Sequence, residues 1–126
     1  MDKAALKAGL RAYKDIDEEI AYKRLFCEQL TDADEIAACQ KQAAETQKAK
    51  EQIIKAINHL PTIEKDCIYR HYIKGELWVS ISMRHNYQDR QIRQIAYRGL
   101  DRLIAEVETC PEAAAFCEKA RMGHFD

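Results

Sequence analysis

Turn-forming residues are scarce in this chain. Its 126 residues include only four glycines and two prolines, well under half of the ordinary share of about 12%. So few turn residues exclude a protein built from many tight hairpins. Valine occurs only at Val79 and Val107, which argues against a sandwich, a barrel or a doubly wound sheet. Long apolar runs are missing as well. Ala113 to Cys117 is about the longest, far short of the ~20 residues that cross a bilayer, so no membrane contact is expected. No apolar leader follows Met1-Asp2-Lys3. Cys27, Cys39, Cys67, Cys110 and Cys117 form an odd, scattered set. Such a set reads as reduced thiols, and the expected location is cytoplasmic.

Alanine, glutamine and charged side chains dominate instead, the charged ones at 33%. That is a helical composition, in one domain's worth of chain. The expected fold is all-α. Leu6, Leu10, Tyr13, Ile16, Ile20, Cys27 and Leu30 recur at helical spacing and predict one helix over about 2–30. Thr31-Asp32-Ala33-Asp34 looks like a fresh helix start, with a second helix running to about Leu60. Together, 1–60 read as a long helical hairpin. Three roles stay open for it: homodimerisation through these helices, docking to RNA polymerase or a phage protein, or a plain spacer.

Leu60-Pro61-Thr62 marks a boundary. Helices are then predicted over about 62–73, 77–84, 88–108 and 112–121, with breaks at Lys74-Gly75-Glu76, His85-Asn86-Tyr87 and Pro111. Residues 61–109 form the second unit, and 110–126 an acidic C-terminal helix or tail. Charge divides along the same lines. Residues 62–104 carry 8 basic and 5 acidic side chains, whereas 105–126 carry 2 and 5.

The middle segment has the layout of a helix-turn-helix. Trp78 and Ile81 can anchor its first helix. Ser82 is small enough to sit at the helix crossing, and Asn86 tolerates a left-handed backbone. Ile92, Ile95, Gly99, Leu103 and Val107 form one stripe down the second helix. The opposite face carries Arg90, Gln94, Tyr97 and Arg98, with Arg93 on the flank. Arginine can bond guanine and glutamine can bond adenine in the major groove, and arginine also holds phosphates.

The runs Leu60-Pro61-Thr62-Ile63-Glu64, Tyr72-Ile73-Lys74-Gly75, Trp78-Val79-Ser80-Ile81, Arg90-Gln91-Ile92-Arg93-Gln94-Ile95 and Leu100-Asp101-Arg102-Leu103 resemble region 4 of the sigma-70 family of bacterial RNA polymerase subunits. Nothing in the chain resembles the other sigma regions. A short chain of this kind is similar to small sigma-region-4-like proteins of phages and prophages, some of which regulate late-gene transcription. The resemblance implies a sequence-specific regulator that binds double-stranded DNA. Its second helix would enter the major groove, with Gln88, Asp89, Arg90, Arg93 and Gln94 at base edges. Arg84, Tyr97, Arg98 and Arg102 would lie near phosphates. Asp89-Arg90 stands where the family shows Arg-Glu, Gln88 where it has Thr, Gly99 where it has alanine, and His85 where it buries leucine. These departures imply a target other than the family's usual promoter element. An adaptor of RNA polymerase or of a phage protein, or a DNA-packaging small subunit, is the alternative.

Other chemistry is thinly represented. Cys67 with His71, and Cys110, Cys117 and His124, have loose metal-like spacing but no close cysteine pair. No glycine-rich phosphate loop and no nucleophile-base arrangement is legible. No cofactor and no enzymatic activity are expected.

Overall fold

In the computed structural model, residues 1–123 are described, and no strand occurs among them. The fold is all-α, as expected. Its helices are α1 (Lys3–Tyr13), α2 (Ile16–Glu28), α3 (Ala33–Asn58), α4 (Thr62–Ile68), α5 (Trp78–His85), α6 (Asp89–Val107) and α7 (Pro111–Met122). A π-helical turn, Tyr69–Ile73, extends α4. No helix among the described residues is long and apolar enough to cross a membrane.

The predicted helix over 2–30 is two helices. Asp2 caps the first, its Oδ1 accepting from the Ala5 N–H at 2.9 Å. The chain turns at Lys14-Asp15, where the Asp15 N–H bonds the Ala12 carbonyl at 3.1 Å. Asp17, Glu18 and Glu19 then occupy the first turn of α2, where the exposed N–H groups of a helix start favour negative charge. The break separates two partners. α2 forms the hairpin with α3, whereas α1 packs chiefly against α7.

The hairpin tip holds a second departure. Cys27 and Cys39 form a disulfide, with Cα atoms 5.8 Å apart. The expectation of five reduced thiols is therefore corrected to three, Cys67, Cys110 and Cys117. The tight connection through Asp32, whose Oδ1 accepts from the Asp34 N–H at 2.8 Å, brings the two helices together here.

One large apolar cluster unites distant parts of the chain. It contains Leu6 and Leu10 of α1, Ile53 and Ile57 of α3, Leu100, Leu103 and Val107 of α6, and Phe116 and Cys117 of α7. The acidic C-terminal segment thus contributes a core helix. A smaller cluster joins Cys67, Ile81, Ile92, Ile95 and Ala96, with Ile63 and Trp78 at its margin. α6 belongs to both clusters.

The contact of α1 with α7 depends on Gly9. A methyl group there would lie 2.3 Å from Cys117 Sγ and 3.1 Å from its Cα. Backbone cannot yield as a side-chain tip can. Gly9→Ala is expected to destabilise the fold by roughly 1–3 kcal/mol through overpacking, against a helix-propensity gain of at most about 1 kcal/mol. Thermal melting followed by circular dichroism would check the sign. Alkylation of the denatured, unreduced protein is expected to label three cysteines, and five after reduction; five without reduction would refute the Cys27–Cys39 bond.

Candidate nucleic-acid interface

The surface of interest is built on α5 and α6. α5 ends at Asn86, the one non-glycine residue with a positive φ (58°) among the described residues. Asparagine adopts this left-handed conformation at low cost. The Tyr87 N–H reaches back to the Ser82 carbonyl at 3.0 Å, which closes the end of α5. α6 then starts after Gln88, whose backbone N–H donates to Gln91 Oε1 at 3.0 Å. These bonds fix the angle at which the chain enters α6.

Ser82 is buried between the two helices. Its hydroxyl lies 2.8 Å from the Val79 carbonyl oxygen and 3.0 Å from Asp89 Oδ1. A small polar residue therefore ties the first turn of α6 to α5. Behind the pair, Trp78 stacks on His71 with ring centroids 3.6 Å apart. His71 Nδ1–H donates to the Glu76 carbonyl at 2.8 Å, because a carbonyl can only accept. The π-helical turn presents this ring: the Lys74 N–H bonds the Tyr69 carbonyl five residues back, at 2.9 Å. Burial lowers the His71 pKa, and the charges of Arg11, Arg93 and Lys7 lower it further against the opposing bond to Glu76. These three cations thus share one neighbourhood.

A polar clasp closes the far end of α5. Asp66 Oδ2 lies 2.6 Å from His85 Nε2, and its Oδ1 accepts from Arg70 Nε at 2.8 Å. Arg70 also reaches Glu76 at 3.2 Å. His85 stands where the resemblance expects a buried leucine, and a bond to α4 replaces apolar anchoring. Burial alone would raise the Asp66 pKa. The bonds from His85 and Arg70 outweigh it, so the carboxyl stays below its ordinary value.

The sequence-predicted site residues fall into two groups. Arg84, Arg90, Gln94 and Arg98 are exposed and have no side-chain partner among the described residues. Arg93 is exposed and lies 3.7 Å from Asp89 Oδ2. Such an exposed pair is worth at most about 1 kcal/mol and can be exchanged for another anion. Tyr97 is exposed on the same face, with Lys7 Nζ 5.6 Å from its ring centre. The remaining three have work inside the fold. Gln88 precedes α6 with its backbone bonded to Gln91, and Asp89 holds Ser82. Arg102 Nε lies 3.4 Å from Oε1 of the buried Glu64.

That glutamate sits where α4 meets α6. A methyl group on Gly99 would come within 2.6 Å of Ile68 Cδ1 and 3.2 Å of Glu64 Cβ. The departure from alanine at Gly99 therefore coincides with a close helix crossing. Glu64 Oε1 accepts no hydrogen bond among the described residues, so the charge of Arg102 is its nearest compensation.

No group of three or more potential metal ligands comes together among the described residues; His124 lies outside them. Cys67 and Cys117 are buried, which pushes each thiol up to about 11. They are therefore protonated and poor nucleophiles at neutral pH. Asp66, Lys7 and Arg11 lie outside the set of residues that the sequence marks for the site. The four-residue step from Asp66 to Arg70 was a visible signal, as was that of Lys3, Lys7 and Arg11. Which element each would face was not. No family model, curated protein or solved structure matches the chain.

Asp66→Asn is expected to lower the stability of the fold by roughly 1–3 kcal/mol, because two charge-assisted bonds are lost or weakened. In the wild type this contribution is complete above the ordinary carboxyl pKa and is lost as pH falls through the lower folded value. Melting curves from pH 7 to pH 2 should therefore converge for the two proteins at the acid end. Parallel curves would refute the clasp.

Proposed function

We propose that this protein is a sequence-specific DNA-binding regulator of transcription, of phage or prophage type, and that α5, the Asn86 turn and α6 act as a helix-turn-helix similar to sigma region 4. One observation carries the reading: the exposed side of α6 offers Arg90, Gln94 and Arg98 without partners, beside a turn whose left-handed residue and buried Ser82 fix the helix pair. Arg90, Arg93 and Gln94 meet base edges in the major groove. Arg84 and Arg98 meet phosphates, with Tyr97 at the rim. Gln88 and Asp89 lie at the helix start, where the groove is entered, and Asp89 also keeps α6 seated on α5. Arg102 reaches a phosphate only by leaving Glu64.

The mechanism is non-covalent. Phosphate contacts supply affinity and position α6, and the side chains of its first two turns discriminate sequence. A site selected from random duplexes gives the reference. On that site, Arg93→Ala is expected to cost roughly 1–3 kcal/mol and to relax preference at one base pair. Arg98→Ala is expected to weaken all duplexes alike and to flatten the dependence of log K on log salt by about one contact. Fluorescence anisotropy at several salt concentrations reads both.

A protein-interaction reading rests on a different surface. Tyr22, Leu25 and Phe26 are exposed together on α2, as an adaptor or a homodimer through the N-terminal helices would require. Failure of the protein to bind any duplex at ~50 mM salt, where non-specific contacts are strongest, would overturn the DNA reading in favour of this one.

A further inference from the structure

α1 is separated from α6 by more than seventy residues of chain, yet the two helices are in contact. α1 contains Lys3, Lys7 and Arg11 and no acidic residue, in a protein whose net charge is −1. The four-residue steps place all three cations along one side of the helix. Two of the three reach α6, and the third reaches the π-helical turn that extends α4. Lys3 Nζ lies 3.0 Å from Asp101 Oδ1 of α6. Lys7 Nζ stands 5.6 Å from the Tyr97 ring centre, and the Arg11 guanidinium 5.7 Å from the Tyr72 ring centre.

Asp101 neutralises Lys3. Lys7 and Arg11 form no ion pair among the described residues, and rest instead on aromatic faces. Such contacts orient a cation while leaving its charge uncompensated. Lys7 meets α6 at Tyr97, three residues beyond Gln94 on the same exposed face. Packed helices lie about 8–10 Å apart, and the major groove is about 12 Å wide. With α6 in the groove, cations on a helix in contact with it fall within reach of the phosphates at the groove edge.

We propose that Lys7 and Arg11 of α1 bind the phosphate backbone flanking the groove that α6 enters, so that α1 is part of the DNA-binding surface. This rests on the reading of α6 given above. It assigns to the N-terminal helix a role that is neither dimerisation nor spacing. Lys7 and Arg11 contribute affinity and register, and leave base preference to α6.

The test compares wild type, Lys7→Gln/Arg11→Gln, Lys7→Arg/Arg11→Lys, and Lys41→Gln on α3 as a surface-charge control. Anisotropy is measured on the selected site and on random duplexes from ~50 to ~300 mM salt. The double glutamine variant is expected to lower the steepness of log K against log salt by about 2 and to weaken both kinds of duplex in equal proportion. The charge-preserving variant and Lys41→Gln should keep the wild-type slope. Circular dichroism melting establishes that each variant is folded. If the double glutamine variant is not, Arg11→Gln alone carries the test, with a change of about 1. An unchanged slope in a folded glutamine variant overturns the role of α1 while leaving that of α6 intact. A wild-type protein that binds no duplex overturns both.

Discussion

The close packing of α6 on α4 at Gly99 joins the helix that carries the exposed face to the one that braces α5. With no side chain at this position, α6 settles against Ile68 and the stem of Glu64. The consequence reaches both ends of the contact. Glu64 is buried at this contact, with Arg102 beside it. α4 in turn carries Asp66, which grips His85 at the end of α5. The orientation of α5 and α6 is thus held by groups outside the pair as well as by Ser82 and the Asn86 turn within it.

α6 has two distinct halves. Ile92, Ile95 and Ala96 close the small cluster with α4 and α5, and Leu100, Leu103 and Val107 enter the large one. The half that faces outward with Arg90, Arg93 and Gln94 is thereby backed by a helix anchored elsewhere in the molecule. α1 and α7, which meet at Gly9 and Cys117, enclose the anchored half. A rigid mount of this sort holds the backbone of that half in place before a ligand arrives, so that the ordering cost of binding is confined to its side chains.

Much of this was legible in the sequence, and the parts that were not share a cause. The stripe Ile92, Ile95, Gly99, Leu103 and Val107 is buried throughout, because periodicity reports burial directly. Asn86 marked its turn because few residues accept its backbone. The break at Lys14-Asp15 was hidden, since Leu10, Tyr13, Ile16 and Ile20 keep a helical rhythm straight through it. Rhythm shows which face is apolar and says little about which helix covers it. The Cys27–Cys39 bond and the Asp66–His85 clasp span twelve and nineteen residues, and only the packed helices bring such partners together. In the site, exposure of the arginines and Gln94 followed from their place opposite the stripe. The ties of Asp89 to Ser82 and of Arg102 to Glu64 depend on the angle between helices, which no single-helix pattern contains.

The cross-link at the tip of the α2–α3 hairpin alters the topology of the chain. Residues 27–39 form a closed ring, and the two long helices leave it as arms from a common joint. A protease that cuts the exposed connection inside the ring would nick the backbone without releasing either piece. Loss of the core would likewise leave α2 and α3 joined at one end. For this region the cross-link limits how far the starts of the two arms can separate when the chain unfolds.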